Sequence, residues 1–173
     1  NMGFRDDIEE IITYVPEKRQ TVLFSATMPR PIMQIVNKYL NDPVTIKTGP
    51  KQLTVPKITQ SYYDVTSGKK LDTLCTLIEE LNPKRSIVFC NTKRMVDQLA
   101  GELSTRGYLA LGIHGDMRQI VRTNVMRSFK NGTTDILIAT DVAARGIDVE
   151  DIDIVFNYDI PTDSEYYVHR IGR

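Results

Sequence analysis

Apolar positions recur along this chain with two periods, and the switches between them divide it into elements. Ile8, Ile11, Ile12 and Val15 fall at i, i+3, i+4 and i+7, which predicts an amphipathic helix closed by Pro16. "TVLFSA" then runs apolar and β-favouring, short enough for a buried parallel strand. After Pro29, the stripe Ile32, Ile35, Val36, Tyr39 and Leu40 predicts a second helix. One strand and two helices do not make a domain, because a central strand needs neighbours on both edges and residues 1–48 offer none. The strand is expected to be disordered, to dock on another surface, or to pair with a second copy by self-association.

From Asn41 to Lys57 the periodicity disappears, and Pro43, Gly49, Pro50 and Pro56 punctuate the chain, so a linker is placed at 49–57. Beyond it strands and helices alternate. The order is "ITQSYYDV", a helix carrying Leu71, Leu74, Leu77, Ile78 and Leu81, "SIVFC", a helix carrying Met95, Val96, Leu99 and Leu103, and "YLALGI". A helix from about Met117 to Phe129 follows, then "DILIAT", a short segment around Val142 to Ala144, "DIVFNY", and a last helix beginning near Asp163 or Ser164. Apolar strands separated by helices imply parallel pairing with both faces covered. The expected fold is therefore an α/β domain, a doubly wound parallel sheet, over residues 58–173, without internal repeats.

Ligands of such sheets bind outside the carboxyl ends of the strands. The residues there are informative: "NTKR", "HGDMRQIVR", "DVAARGID" and "DIPTD" each follow a predicted strand. Thr92 opens a helix, where free N–H groups and the positive dipole end favour a phosphate, although an ordinary N-cap uses the same residue. Gly115 admits close approach of a backbone, and Gln119 and Arg122 lie three apart on one helical face; a turn and a solvated face account for them as well. Thr140 and Asp141 follow a buried strand, with Arg145, Gly146 and Asp148 close behind. That carboxylate can accept ribose hydroxyls or pair with Arg145.

Charge adds little: 22 basic residues balance 22 acidic ones, which argues weakly against a polyanionic partner without excluding a local row of donors. No window has the length of a membrane span and the amino terminus carries no signal-peptide pattern, so a cytoplasmic location is expected. Cys75 and Cys90 sit in apolar runs without metal-ligand spacing, as buried thiols of a reducing compartment do. The sequence holds no G-x-x-x-x-G-K-[ST], no G-x-G-x-x-G, no H-E-x-x-H and no G-x-S-x-G. The rim residues look built to complete a site, not to constitute one.

"SATMP", "IVFCNT", "HGDMRQIVR", "ATDVAARGIDV" and "YVHRIGR", in this order, resemble motifs III, IV, IVa, V and VI of the DEAD-box ATP-dependent RNA helicases, and "NMGF" resembles the segment after their DEAD tetrapeptide. The resemblance covers nearly the whole chain. It implies two RecA-like domains that close on ATP and single-stranded RNA, with the end of the first in residues 1–48 and most of the second in 58–173. By matching position it implies that Ser25, Ala26 and Thr27 couple the nucleotide site to closure. Thr92, Gly115, Arg122 and Thr140 would hold RNA phosphates and ribose hydroxyls, while Asp148 would meet the ATP ribose and Gly146 would belong to the same ATP-binding site. His169 and Arg170 would support the domain interface, and Arg173 would be an arginine finger toward the γ-phosphate. In the family, motif VI runs on through Thr-Gly to another Arg, beyond Arg173. ATP would arrive with Mg²⁺, held mainly by the first domain, since this chain has neither the phosphate loop nor the DEAD carboxylates. RNA contacts of this kind are sequence-independent.

Two other readings stand beside this one. A DNA-directed helicase or translocase shares the two-domain engine, and competition between RNA and DNA oligonucleotides separates it. A non-catalytic α/β module that binds a nucleotide or a protein is distinguished by the absence of RNA-stimulated ATPase once an upstream phosphate-loop domain is supplied.

Overall fold

The computed structural model describes residues 5–25, Met28, 30–47, 58–66, 68–144, Ile147, Val149 and 151–172. The predicted linker at 49–57 lies outside them. The chain divides into two compact units, Asn1–Lys51 and Gln52–Arg173.

The first unit holds helices α1 (Arg5–Thr13) and α2 (Arg30–Tyr39). Lys38 on α2 donates to Glu9 on α1 at 2.9 Å. The expected strand "TVLFSA" is corrected here: Thr21–Ser25 are not paired in a ladder. Strand geometry needs a neighbouring strand to take its N–H and C=O groups, and no strand ladder runs through Thr21–Ser25. Val22 is left 67% exposed and Phe24 93%.

The second unit is a sheet with helices on both faces. Its elements are α3 (Lys70–Leu81), β1 (Ser86–Phe89), α4 (Lys93–Thr105), β2 (Ala110–Ile113), α5 (Gln119–Lys130), β3 (Ile136–Ala139), α6 (Asp141–Ala144), β4 (Ile154–Asn157) and α7 (Ser164–Ile171). The four strands pair in parallel in the order β2-β3-β1-β4. Register is continuous across the middle, with Val88 opposite both Ile138 and Phe156. The expected strand "ITQSYYDV" is a second correction. Residues 58–66 pair with none of the four strands. Tyr62 stands 93% exposed; β propensity without a partner edge makes no strand.

Alternation along the central strands explains the two layers. Val88, Cys90, Ile136 and Ile138 face one cluster with Leu74 and Ile78 of α3 and Val96, Leu99 and Leu103 of α4. Ile87, Phe89, Leu137 and Ala139 face the other, with Val125 and Phe129 of α5 and Ala143 and Ala144 of α6. Strands buried on both faces read as unbroken apolar runs, which is why "SIVFC" and "DILIAT" are visible in the sequence. Helix α3 stops at Asn82, which adopts the left-handed conformation (φ 42°) and returns its N–H to the Ile78 carbonyl. Both cysteines are buried and free. Burial, followed by the nearby Asp159 charge, pushes the Cys90 thiol up to about 12, so it is inert at neutral pH.

Helix α4 packs against β2 at Gly112, where a Cβ would stand 2.9 Å from Val96 Cγ1 and 3.6 Å from the Ala100 Cβ. Gly112→Ala is expected to cost about 1–3 kcal/mol by overpacking. Gly101→Ala, on α4 with open space around the new methyl, is expected to stabilise by up to about 1 kcal/mol through helix propensity. Urea unfolding of the two variants checks the contact; equal stabilities would remove it.

Candidate functional site

Because all four strands run parallel, their carboxyl ends form one rim, and the loops after them bring distant polar residues together. Arg170 organises that rim. It lies on α7, is 1% exposed, and its guanidinium reaches three strand ends. Nε donates to Asp141 Oδ1 at 2.6 Å and Nη2 to Asp141 Oδ2 at 2.8 Å, a bidentate grip on the residue that opens α6. Nη2 also donates to Asn91 Oδ1 at 2.9 Å, after β1. Nη1 donates to Asn157 Oδ1 at 3.1 Å and to the Asp159 carbonyl at 2.6 Å, at and beyond the end of β4. The cation stands 5.0 Å from the centre of the Phe89 ring.

An arginine offers five N–H donors, and all five are used here. Arg170 therefore keeps no donor for a phosphate and acts as a tie between strands. The network continues outward. Asp159 accepts the Asn91 N–H at 3.0 Å and the Lys70 ammonium at 2.8 Å; Asn91 in turn donates to the Ile160 carbonyl at 2.8 Å. Asn91, Asn157 and Asp159 were not singled out by sequence reasoning. Their signal was position, since each ends or follows a strand.

The residues implied by the motifs are distributed as follows. Thr92 is exposed and caps α4, its hydroxyl accepting the Met95 N–H at 3.1 Å, which leaves the hydroxyl proton free to donate outward. Thr140, 9% exposed, follows β3 directly beside it, since Cys90 N–H bonds to the Ala139 carbonyl. Gly115 lies exposed in the turn after β2, and an added Cβ would meet open space. Arg122 is half-buried on α5, and its Nε is buried with no acceptor among the described residues. His169 is half-buried on α7, while Ser25 is exposed in the first unit. Ala26, Thr27, Gly146, Asp148 and Arg173 lie outside the described residues, as does Arg145.

The turn that carries Gly115 is held to α4 at two points one helical turn apart. His114, 8% exposed, meets Asp97 Oδ1 through Nε2 at 2.9 Å. A carboxylate only accepts, so Nε2 carries the proton. Lys93 reaches Asp116, and that hydrogen bond holds the Asp116 carboxyl below its ordinary value. Thr92 and the Gly115 turn are thus tied to the same helix. Sequence reasoning missed this clasp, although the i, i+4 spacing of Lys93 and Asp97 placed both on one face. Among the described residues no group of three His, Cys, Asp or Glu side chains is arranged to hold a metal ion, and no helix is long and apolar enough to cross a membrane.

Comparison with known proteins bears on these motifs. The family described as helicase conserved C-terminal domain matches residues 69–173, and the DEAD/DEAH box helicase family matches residues 1–35. The DEAD-box ATP-dependent RNA helicase CshA of Geobacillus kaustophilus is 53% identical over 100% of this chain and 37% of that protein. CshA of Bacillus subtilis is 51% identical over 100% of this chain and 35% of its own length. The chain thus spans about a third of the length of the curated relatives it matches. Among solved structures, S. cerevisiae Dbp5 bound to RNA and ADP BeF3 matches with a TM-score of 0.88 at 33% identity, over 100% of this chain and 46% of that one. A DEAD box protein from the hyperthermophile Methanococcus jannaschii matches with a TM-score of 0.63 at 43% identity, again over 100% and 46%. With the C-terminal helicase domain matched over 69–173 and whole-chain identity above half to a named DEAD-box helicase, the chain belongs to the DEAD-box helicase family.

Proposed function

We propose that this chain serves an ATP-dependent RNA helicase, supplying the second RecA-like domain, the segment before it and the end of the first domain. The observation that carries the reading is the rim itself. Thr92, Gly115 and Thr140 stand at the carboxyl ends of three parallel strands, and the Arg170 knot fixes the last helix beside them. In this reading Thr92, Gly115, Arg122 and Thr140 bind phosphates and ribose hydroxyls of single-stranded RNA. Such contacts carry no base code, so binding is sequence-independent and salt-sensitive. Asp148 meets the ATP ribose with Gly146 in the same ATP-binding site, Arg173 reaches the γ-phosphate, and Ser25, Ala26 and Thr27 link nucleotide occupancy to closure. His169 supports the interface from α7.

The structural neighbour S. cerevisiae Dbp5, bound to RNA and ADP BeF3, supports both partners. Mg²⁺ would be held mainly by the upstream half; among the described residues no group of three His, Cys, Asp or Glu side chains is arranged for a metal ion. Phosphoryl transfer here is positioning plus charge stabilisation, and unwinding follows from ATP-conditional binding of a bent strand.

The test compares two proteins. The 173-residue chain by itself is expected to show no ATP turnover, with or without RNA. The same residues joined to an upstream phosphate-loop domain are expected to show ATPase stimulated by RNA, and Gly115→Ala in that protein should raise the RNA concentration for half-stimulation without changing the unfolding midpoint. Absence of RNA stimulation in the joined protein would sink the reading, and preferential stimulation by DNA would redirect it.

A further inference from the structure

A groove of about 620 Å³ runs along α5, on the face of the second unit opposite to α3 and α4, within the usual range of ligand pockets. Its floor is apolar, made by Met126 with Ala143 and Ile147, the last two buried. Its wall carries Arg122, Arg127 and Lys130, and no carboxylate lines it among the described residues. None of these three cations has an ion-pair partner among the described residues, and Arg122 Nε is buried without an acceptor. Arg127 and Lys130 are exposed, and a row of cations beside apolar surface, with no carboxylate against it among the described residues, is complementary to an anionic ligand.

The direction of the groove separates it from the rim. Helix α5 begins after the carboxyl end of β2. It ends at Lys130, whose carbonyl accepts from Arg85 Nη2 at 3.0 Å, beside the amino end of β1. The row of cations therefore leaves the rim at Arg122 and descends to the opposite edge of the sheet. Single-stranded nucleic acid is held by aromatic platforms as well as by cations, and no aromatic side chain lines this groove. An aliphatic floor flanked by spaced cations instead matches a peptide with one apolar anchor between acidic side chains. At about 1.5 Å per residue the 12-residue helix is roughly 18 Å long, the reach of five or six extended residues.

We infer that this groove is a docking site for an acidic segment of a partner protein, an extended stretch of about six residues with a central aliphatic anchor over Met126, Ala143 and Ile147. Arg127 and Lys130 engage its carboxylates, and Arg122 Nε takes an acceptor at the rim end. Arg122 is shared with the proposed RNA site, whereas Arg127 and Lys130 have no part in it, so the test rests on those two residues.

The probe is a fluorescein-labelled peptide, Asp-Glu-Leu-Asp-Glu-Glu, titrated with the 173-residue chain and followed by anisotropy. Saturable binding is expected. The Arg127→Glu, Lys130→Glu double variant should weaken it at least tenfold, and the neutral Arg127→Gln, Lys130→Gln pair, which perturbs the helix end less, should weaken it several-fold. Replacing the leucine of the peptide by glycine should also weaken binding several-fold. Absence of binding, or equal affinity for the glycine peptide, would overturn the inference. So would a matched loss of affinity for labelled hexauridylate in the charge-reversed variant, which would make the groove a nucleic-acid path.

Discussion

Arg170→Ala is expected to lower the folding stability of the second unit by about 3–5 kcal/mol, the scale on which losing one partner of a buried ion pair destabilises. The size follows from what is left behind. Asp141 keeps its carboxylate with both acceptors of the bidentate grip vacated, while Asn91, Asn157 and the Asp159 carbonyl each lose a donor. Phe89 loses the cation over its ring. Lysine at the same position is expected to recover less than half of the loss. Its three donors radiate from one nitrogen and cannot hold the two Asp141 oxygens while spanning to both asparagines. A double-mutant cycle with Asp141→Asn, read by urea unfolding, should give a coupling energy in the upper part of the ~0.5–3 kcal/mol range for residues in one network. A loss below about 1 kcal/mol for the alanine variant would mean that the knot does not hold the strand ends together.

The same residue shows how much of this molecule can be read from one dimension. The strands "SIVFC", "DILIAT" and "DIVFNY" and the helices between them are legible because burial on two faces leaves an apolar run, and burial on one face a 3.6-residue stripe. Elements that need a partner edge are not: "TVLFSA" and "ITQSYYDV" have the composition of strands, but composition cannot say whether a neighbour is present to complete the ladder. The rim is legible as a place, since polar residues follow each strand. Its wiring is not. Arg170 bonds to residues 79, 29, 13 and 11 positions away, and only the crossover pattern of the sheet decides that those four meet. Motif reading set Arg170 beside Arg173 as site residues; geometry gives Arg170 to the interior of the fold. The clasp of His114 and Asp116 to α4 was likewise invisible, because either half looks like an ordinary surface charge.

That separation bears on Arg173→Ala, expected to lower kcat of RNA-stimulated ATP hydrolysis by about 10³- to 10⁵-fold in the protein joined to its upstream half, the range found for arginine fingers in phosphoryl transfer. Arg170 spends every donor inside the fold and holds α7 against β4 and α6; Gly172 closes the helix by donating to the Val168 carbonyl at 3.2 Å. The finger role of Arg173 follows from the motif alone, since Arg173 lies outside the described residues. Charge that acts only on the transferring phosphoryl group contributes to the transition state and little to ground-state binding, so KM for ATP and affinity for RNA should change by less than threefold or so. The unfolding midpoint should not move. Arg173→Lys should stay close to the alanine level, because a point charge does not reproduce the planar fork. Arg170→Ala gives the opposite profile, with stability and RNA affinity lost together as the rim loosens. An Arg173→Ala protein with unchanged kcat would remove the finger assignment while leaving the Arg170 knot intact. Loss of stability in that variant would instead place Arg173 inside the fold with its neighbour.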